Sequence, residues 1–299
     1  MSGASPIPGP APIPGPTVTR PLVFGRSGQV ALALGRLCPG AVTLSRAEAD
    51  LSDPAACAAA VAARAGEVDA VINAAAWTAV DAAEAEEAAA RVVNADAPAA
   101  MARAAAAAGL PFLHVSTDYV FDGAGTAPFA PGDPTGPLGA YGRTKHAGER
   151  AVAAEGGRSA VLRTSWVFSA DGANFLRTML RLSESRDRLT VVGDQVGGPT
   201  PAEAIAAALL SMAGRLPEGQ GVWHFSGAPD VSWADFARAI LAQAGRAVEV
   251  VDIATEDWPT PAPRPRNSRL DCTALERDFG IARPDWREAV ARYVAQLTG

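Results

Sequence analysis

Between residues 18 and 166, short apolar runs alternate with stretches in which apolar residues recur every three or four positions. Runs at 18–24, 41–44, 68–73 (VDAVIN), 111–116 (PFLHVS) and 160–166 (AVLRTSW) predict strands. The stretches at 29–37, 54–65, 82–108 and 141–154 predict helices. Ser52 and Asp53 supply capping oxygens ahead of Pro54, whose fixed φ suits a first helical turn. Pro98 breaks the 82–108 pattern into two segments. Strands 20–50 residues apart with helices between them predict an α/β fold on a doubly wound parallel sheet, over residues 18–165.

Past residue 166 the pattern is less regular. Helical stretches at 175–185, 202–215, 233–244 and 286–297 are separated by loops rich in Gly, Pro and Trp, notably 193–201 and 257–269. Residues 166–299 therefore read mainly as a smaller C-terminal α/β lobe for substrate, with later segments folding back onto the sheet. Residues 1–17 are Pro/Gly-rich without periodicity and read as a disordered extension. They have neither the charged start nor the apolar centre of a signal peptide.

Composition narrows the function. A net charge of −6 and a pI near 5.2 argue against a nucleic-acid footprint. No apolar run reaches the ~18–20 residues of a membrane span. Cys38, Cys57 and Cys272 are scattered, forming neither a disulfide framework nor a metal cluster, which fits a reducing, cytoplasmic location. Of 26 Lys and Arg, the only lysine is Lys145, and the only tyrosines are Tyr119, Tyr141 and Tyr293. With 67 alanines in the chain, alanine motifs carry little information; a motif built of Tyr and Lys carries much.

Gly25, Arg26, Ser27, Gly28, Gln29, Val30 and Ala31 lie between a predicted strand and helix, as a G-x-x-G-x-x-A variant of the dinucleotide fingerprint. Glycines there let backbone approach a pyrophosphate seated on the helix N-terminus. The bland alternative is an ordinary strand–helix turn in a chain with 29 glycines. About 20 residues on, where an NAD site places an acid, the chain has Ser45 and Arg46. A hydroxyl and an arginine suit a 2′-phosphate, with Arg26 adding charge, so NADPH is expected and NADH stays open. Asp50 and Leu51 would border the adenine. After VDAVIN, the small residues Ala74, Ala75 and Ala76, with Thr78, Asn73 and Asp81 nearby, stand where open α/β sheets bind ligands. Ser116, Thr117 and Asp118 end the next strand in the same way, although such residues also make plain turns.

Tyr141 and Lys145 lie four apart, on one face of a helix. A phenol has a pKa of about 10, and a nearby ammonium lowers it, typically by about 1–3 pH units. Tyr141 then becomes a general acid for a carbonyl being reduced. A single lysine would fall four residues after one of three tyrosines in about 3 of 299 placements, so a chance surface pair is the weaker reading.

These segments resemble the extended short-chain dehydrogenase/reductases, whose Rossmann-type fold they imply. RTSWVF (163–168), Asn174 with Phe175, VVGDQVGGPT (191–200) and RPRNSRLD (264–271) are similar to the dTDP-4-dehydrorhamnose reductase family, and the match runs from about residue 20 to the C-terminus. The resemblance implies hydride transfer from NADPH to the C4 ketone of dTDP-4-dehydro-L-rhamnose. Tyr141 would give the proton, Lys145 would tune it and hold the ribose, and Thr117 would hydrogen-bond the reacting oxygen. Val80, Asp118, Val120, Phe121, Trp166, Asn174, Arg264, Asn267 and Ser268 would bind substrate. Trp166 would pack on the sugar, and Arg264, Asn267, Ser268 and Arg269 would hold the nucleotide–diphosphate end. Trp77 stands where the family usually has Tyr or His. Some members dimerise through a magnesium site of glutamates; Ala33 and Arg287 occupy two of those places and Glu203 matches the third. No metal is therefore expected, and a homodimer would need another interface. The alternatives are a related nucleotide-sugar 4-ketoreductase or epimerase, and a non-catalytic NADP-binding regulatory subunit.

Overall fold

Four-residue runs such as Pro-Leu-Val-Phe and Ala-Val-Ile-Asn are buried throughout, the signature of strands covered on both faces. In the computed structural model, which describes residues 18–299, they are β1 (Pro21–Phe24) and β3 (Ala70–Asn73) of a six-stranded parallel sheet. The 1–17 extension lies outside the described residues. β2 (Val42–Leu44), β4 (Phe112–Thr117), β5 (Ser159–Thr164) and the strand Gln220–His224 complete it. From one edge the order is Gln220–His224, β5, β4, β3, β1, β2. The chain leaves β1 for β2 on one side and returns to β3 on the other, creating a switch point between β1 and β3.

Alternation along β1 sends Val23 to one face and Leu22 and Phe24 to the other. Val23 packs in a core with Leu34 of α1 (Gln29–Leu37) and with Ile205 and Leu209 of the helix Ala202–Ala213. Leu22 and Phe24 pack with Val61 of α2 (Pro54–Arg64), Met101 and Val152. Asp53 caps α2 by accepting from the Ala56 N–H at 3.0 Å.

The 82–108 stretch corrects the sequence reading. It forms α3 (Val80–Ala85), α4 (Glu87–Arg91), a π-helical turn (Val92–Asp96) and α5 (Ala97–Ala107), and Pro98 sits in the first turn of α5 instead of ending a helix. Pro98 cannot donate to the Asn94 carbonyl four residues back, and the wider turn accommodates this loss. α6 (Ala140–Ala154) passes tightly against that carbonyl: a Cβ on Gly148 would lie 2.0 Å from it.

After residue 166 the helix Ala202–Ala213, the strand Gln220–His224 and Leu275, Phe279 and Ile281 join the sheet region, while Phe168, Phe236, Trp286 and Tyr293 belong to a second core. Its strands Arg188–Val192 and Glu249–Ile253 pair in parallel. Among the described residues no helix is long and apolar enough to cross a membrane, and the three cysteines are buried and unpaired.

Candidate active site

The carboxyl ends of β1 and β3 open a cleft at the switch point. Gly25 leaves β1 at φ 114°, and a side chain there would press on the Ala31 Cβ at 3.3 Å and the Ala74 backbone at 3.6 Å. Gly28 starts α1 without a side-chain cap, and no acid occupies the first turn, so the positive end of the helix is uncompensated. Arg26, Ser45, Arg46, Asp50 and Leu51 wall one chamber of about 380 Å³. A second, of about 540 Å³, is walled by Gln29, Val30, Val80, Thr117, Asp118, Tyr141, Lys145 and Trp166. Ser27, Gly28, Ala74, Ala75, Ala76 and Thr78 line both, so the two form one slot past the α1 N-terminus. Close backbone approach, uncapped N–H groups and a floor of small alanines fit a dinucleotide whose diphosphate crosses the middle of the slot.

The adenosine end holds a residue that sequence reasoning missed. Glu48 accepts from the Ser45 N–H (2.9 Å) and hydroxyl (2.6 Å) and pairs with Arg26 at 2.8 Å. Arg26 also donates to the Thr43 carbonyl at 2.6 Å. Two of the groups assigned to a 2′-phosphate are thus already engaged, whereas Arg46 is exposed with no ion pair among the described residues. An acid three residues past Ser45 was the signal available.

At the other end, Gly142 lets α6 press against the turn after β4: a Cβ there would lie 2.2 Å from the Tyr119 carbonyl oxygen. Tyr141 thereby meets the Tyr119 ring edge-on at 5.5 Å. The Thr117 hydroxyl accepts from the Tyr119 N–H (3.2 Å) and donates to Asp118 Oδ1 (3.0 Å). Asp118 Oδ2 is buried with no hydrogen-bond partner. Burial pushes the Asp118 carboxyl up to about 6, against the pull of the Ser268 and Thr117 hydroxyls. Burial, then the Asp118 charge, push the Tyr141 phenol well above its usual range, with Thr117 partly opposing.

Lys145 departs from the expected arrangement. Its Nζ lies 2.7 Å from the Val115 carbonyl and 3.1 Å from His114 Nε2, and it is not among the groups that shift Tyr141. Tyr141 is therefore a firmly protonated phenol here, not one tuned down by an ammonium.

Trp166 adopts φ 49°, a left-handed conformation rare for a bulky residue, and its ring stacks on Trp233 at 3.6 Å. Both rings wall the slot, and Trp233 belongs to it although its sequence position suggested only a helix start.

Several residues assigned to substrate lie elsewhere. Val120 and Phe121 are buried in a cluster with Phe129, Leu270 and Cys272, so their side chains support the wall from behind. Asn267 spends its amide on the Ala127 (2.8 Å) and Ala124 (3.3 Å) carbonyls, whereas its neighbour Ser268, buried in the same short strand, stays close enough to the site for its hydroxyl to act on the Asp118 carboxyl. Arg264 pairs with Asp81 at 2.9 Å, and Arg269 donates to Asn267 Oδ1 at 3.0 Å. Asn174 caps the helix Phe175–Leu182 and donates to Gln29 Oε1 at 3.0 Å, reaching the slot only through Gln29. Arg287 pairs with Asp285, and Glu203 faces Arg292 at 3.4 Å.

A switch-point slot that ends on a tyrosine, a threonine and a lysine defines a Rossmann-type reductase of the short-chain dehydrogenase kind. The chain belongs to the RmlD substrate binding domain family, whose model matches residues 19–298. It is 45% identical over 287 residues to a dTDP-4-dehydrorhamnose reductase of Sinorhizobium fredii, covering 92% of this chain and 96% of the relative. Among solved structures it is similar to a dTDP-4-dehydrorhamnose reductase of Clostridium acetobutylicum, with TM-score 0.89 and 33% identity over 94% of this chain and all of the other. The enzyme of the same name from Bacillus anthracis, solved in complex with NADP, gives TM-score 0.86 and 29% identity, covering 93% of this chain and 99% of that one.

Proposed function

We infer that this protein reduces the C4 ketone of dTDP-4-dehydro-L-rhamnose, using NADPH, to give dTDP-L-rhamnose. The observation that carries the reading is the end of the slot. Tyr141, Thr117 and the unpartnered Asp118 oxygen stand there beside the dinucleotide channel, in a chain matching its relatives along nearly their whole length.

When bound, the nicotinamide cofactor supplies the hydride. The chain's own groups do the rest. Gly25, Ser27, Gly28, Gln29 and Val30 would take the diphosphate across the α1 N-terminus. Ser45, Arg46, Asp50 and Leu51 would hold the adenosine end, and Ala74, Ala75, Ala76 and Thr78 the span towards Tyr141 and Lys145. Tyr141, fully protonated at neutral pH, gives its proton to the ketone oxygen as charge develops there. Thr117, whose hydroxyl proton goes to Asp118 Oδ1 in this structure, steadies that oxygen by turning the same proton towards it when substrate is bound. Asp118 Oδ2 is an acceptor placed for a sugar hydroxyl, and the Trp166 face offers an apolar wall to the ring. The lobe built from most of 166–299 supplies Trp166 and Trp233, and so the substrate side of the slot.

The purified protein is expected to consume NADPH when supplied with dTDP-4-dehydro-L-rhamnose, with dTDP-L-rhamnose identified as product. No loss of nicotinamide absorbance at saturating substrate would discard the reading, and a different sugar product would reassign it to a related 4-ketoreductase.

Glu48 makes a separate prediction. Its carboxylate occupies Arg26 and Ser45 and repels a 2′-phosphate. Glu48→Gln is therefore expected to raise the NADPH/NADH ratio of kcat/KM on the order of fivefold. Steady-state kinetics with the two cofactors measure it, and an unchanged ratio would remove Glu48 from cofactor choice.

A further inference from the structure

Gln29 is the first residue of α1 and lines the slot, yet its side chain is engaged by the other lobe. Asn174 sets the direction of that contact. Its Oδ1 accepts the Arg177 N–H at 3.2 Å, so its Nδ2 is the atom turned towards Gln29. A donor at 3.0 Å must meet an acceptor, which makes the facing atom of Gln29 its Oε1. The Ser169 hydroxyl accepts the Asp171 N–H at 3.1 Å, and its own proton lies between Gln29 Oε1 and the Asp171 carbonyl, each 2.9 Å away. The Gln29 amide is therefore oriented, and its Nε2 has no protein partner among the described residues.

These donors belong to one short loop. Residues 169–174 leave the strand Val167–Phe168 and enter the helix Phe175–Leu182, which packs in the second core. The loop is closed on itself: Asn174 Nδ2 also reaches the Ser169 carbonyl at 2.8 Å, and Arg177 donates to the Ala170 carbonyl at 2.5 Å. Seven residues beyond Gln29, on the same face of α1, Arg36 pairs with Asp171 of this loop at 2.6 Å. The first and last turns of α1 thus grip the same six residues.

What they grip is continuous with the slot wall. Trp166 and Val167, just before the loop, line the slot, and so do Gly172 and Ala173 within it. A plain contact between lobes is the simpler account, and Arg36 alone would supply it. Gln29 differs in its place: it stands at the α1 N-terminus, beside the uncapped N–H groups, and brings a further donor there.

We propose that Gln29 is a positioning residue that couples the two sides of the slot: its Oε1 seats the 169–174 loop, and through it the Trp166 wall, while its Nε2 serves the diphosphate of the dinucleotide. Dinucleotide binding then stiffens the wall on which the sugar packs. A nucleotide sugar that orders the same wall tightens the dinucleotide in return, and linkage makes the two factors equal. The clasp on the loop stands on the hydrogen bonds; its use with a nucleotide sugar rests on the reductase reading.

Hydrogen exchange of residues 169–174, together with calorimetric titration of the full-length protein by NADP+ and dTDP-L-rhamnose, tests it. In wild type, NADP+ is expected to slow exchange in the loop and to tighten dTDP-L-rhamnose about fivefold. Gln29→Met, similar in length but without hydrogen bonds, is expected to exchange the loop faster in nucleotide-free protein and to bring that factor to about one. Gln29→Glu keeps the acceptor and loses the donor. Its loop is expected to exchange as in wild type without nucleotide, and saturating NADP+ should no longer slow it. A wild-type loop that NADP+ leaves unchanged, or a wild-type factor of one, overturns the proposal without any variant. So does Gln29→Met with the wild-type factor, or Gln29→Glu with a loop as fast as that of Gln29→Met. No turnover and no binding of dTDP-L-rhamnose, with the loop slowed by NADP+ in wild type but not in Gln29→Glu, would remove the reductase reading and leave the clasp. Turnover with a loop indifferent to NADP+ would remove the proposal alone.

Discussion

Tyr141→Phe is expected to lower kcat by about 100- to 10,000-fold, the range for loss of a general acid, while leaving NADPH affinity and KM near their wild-type values. The phenylalanine ring keeps the edge-on contact with Tyr119 at 5.5 Å and the helix packing that Gly142 permits, so the slot retains its shape. Only the hydroxyl is lost. Because burial and the Asp118 charge raise the phenol, wild-type Tyr141 is protonated throughout the neutral range, and its donor capacity is lost only in strong alkali. The acid limb of the rate profile should instead follow Asp118, whose carboxyl ionises near pH 6. Single-turnover reduction and fluorescence titration of NADPH separate the two effects. A variant within tenfold of wild-type kcat would show that another group delivers the proton.

The parts of this site that were legible in the sequence are those fixed by local backbone chemistry. Gly25 and Gly28 announce a turn into a helix, Asp53 and Pro54 a helix start, and Tyr141 with Lys145 a shared helical face. What the sequence hid depends on strand register and on packing between distant segments. His114 meets Asn73 only because β3 and β4 pair at that position. Its presence within PFLHVS was a signal, since a buried histidine in an apolar strand must find partners. Trp233 reaches the slot through a stack with a residue 67 positions earlier, which no periodicity encodes. Val120, Phe121 and Asn267 show the converse. Each stands in a motif that resembles a substrate site, yet the fold uses their side chains to build the wall behind it. Pro98 misled for a local reason: a proline breaks a helix interior but is welcome in a first turn, and the π-helical turn before it creates one.

The ion pair behind the slot carries the second large effect. Glu149 on α6 accepts from Arg163 Nε at 2.9 Å and Nη2 at 2.7 Å, and from the Ser116 hydroxyl at 2.5 Å. Both charged side chains are almost wholly buried, Arg163 stacks over the Phe121 ring at 5.0 Å, and it donates to the Pro131 carbonyl at 3.3 Å. Burial alone would push the Glu149 carboxyl up, but Arg163, His146 and Ser116 more than reverse this and hold it down at about 2. A carboxyl lowered on folding contributes stability above its unfolded value near 4.5 and loses that contribution as pH falls from 4.5 towards 2. A depression of that size corresponds to about 3 kcal/mol at neutral pH. Glu149→Gln leaves Arg163 buried without its counter-ion and is expected to cost about 3–5 kcal/mol at pH 7. The difference from wild type should then narrow steadily below pH 4.5, because a protonated Glu149 is as neutral as glutamine. Glu149→Leu combined with Arg163→Met removes both charges and should recover part of the loss, since an apolar pair of similar volume often replaces a buried ion pair at little cost. Urea unfolding at pH 7 and pH 3 measures all three proteins, and a Glu149→Gln deficit of the same size at both pH values would mean that the pair is not what ties α6 to β5.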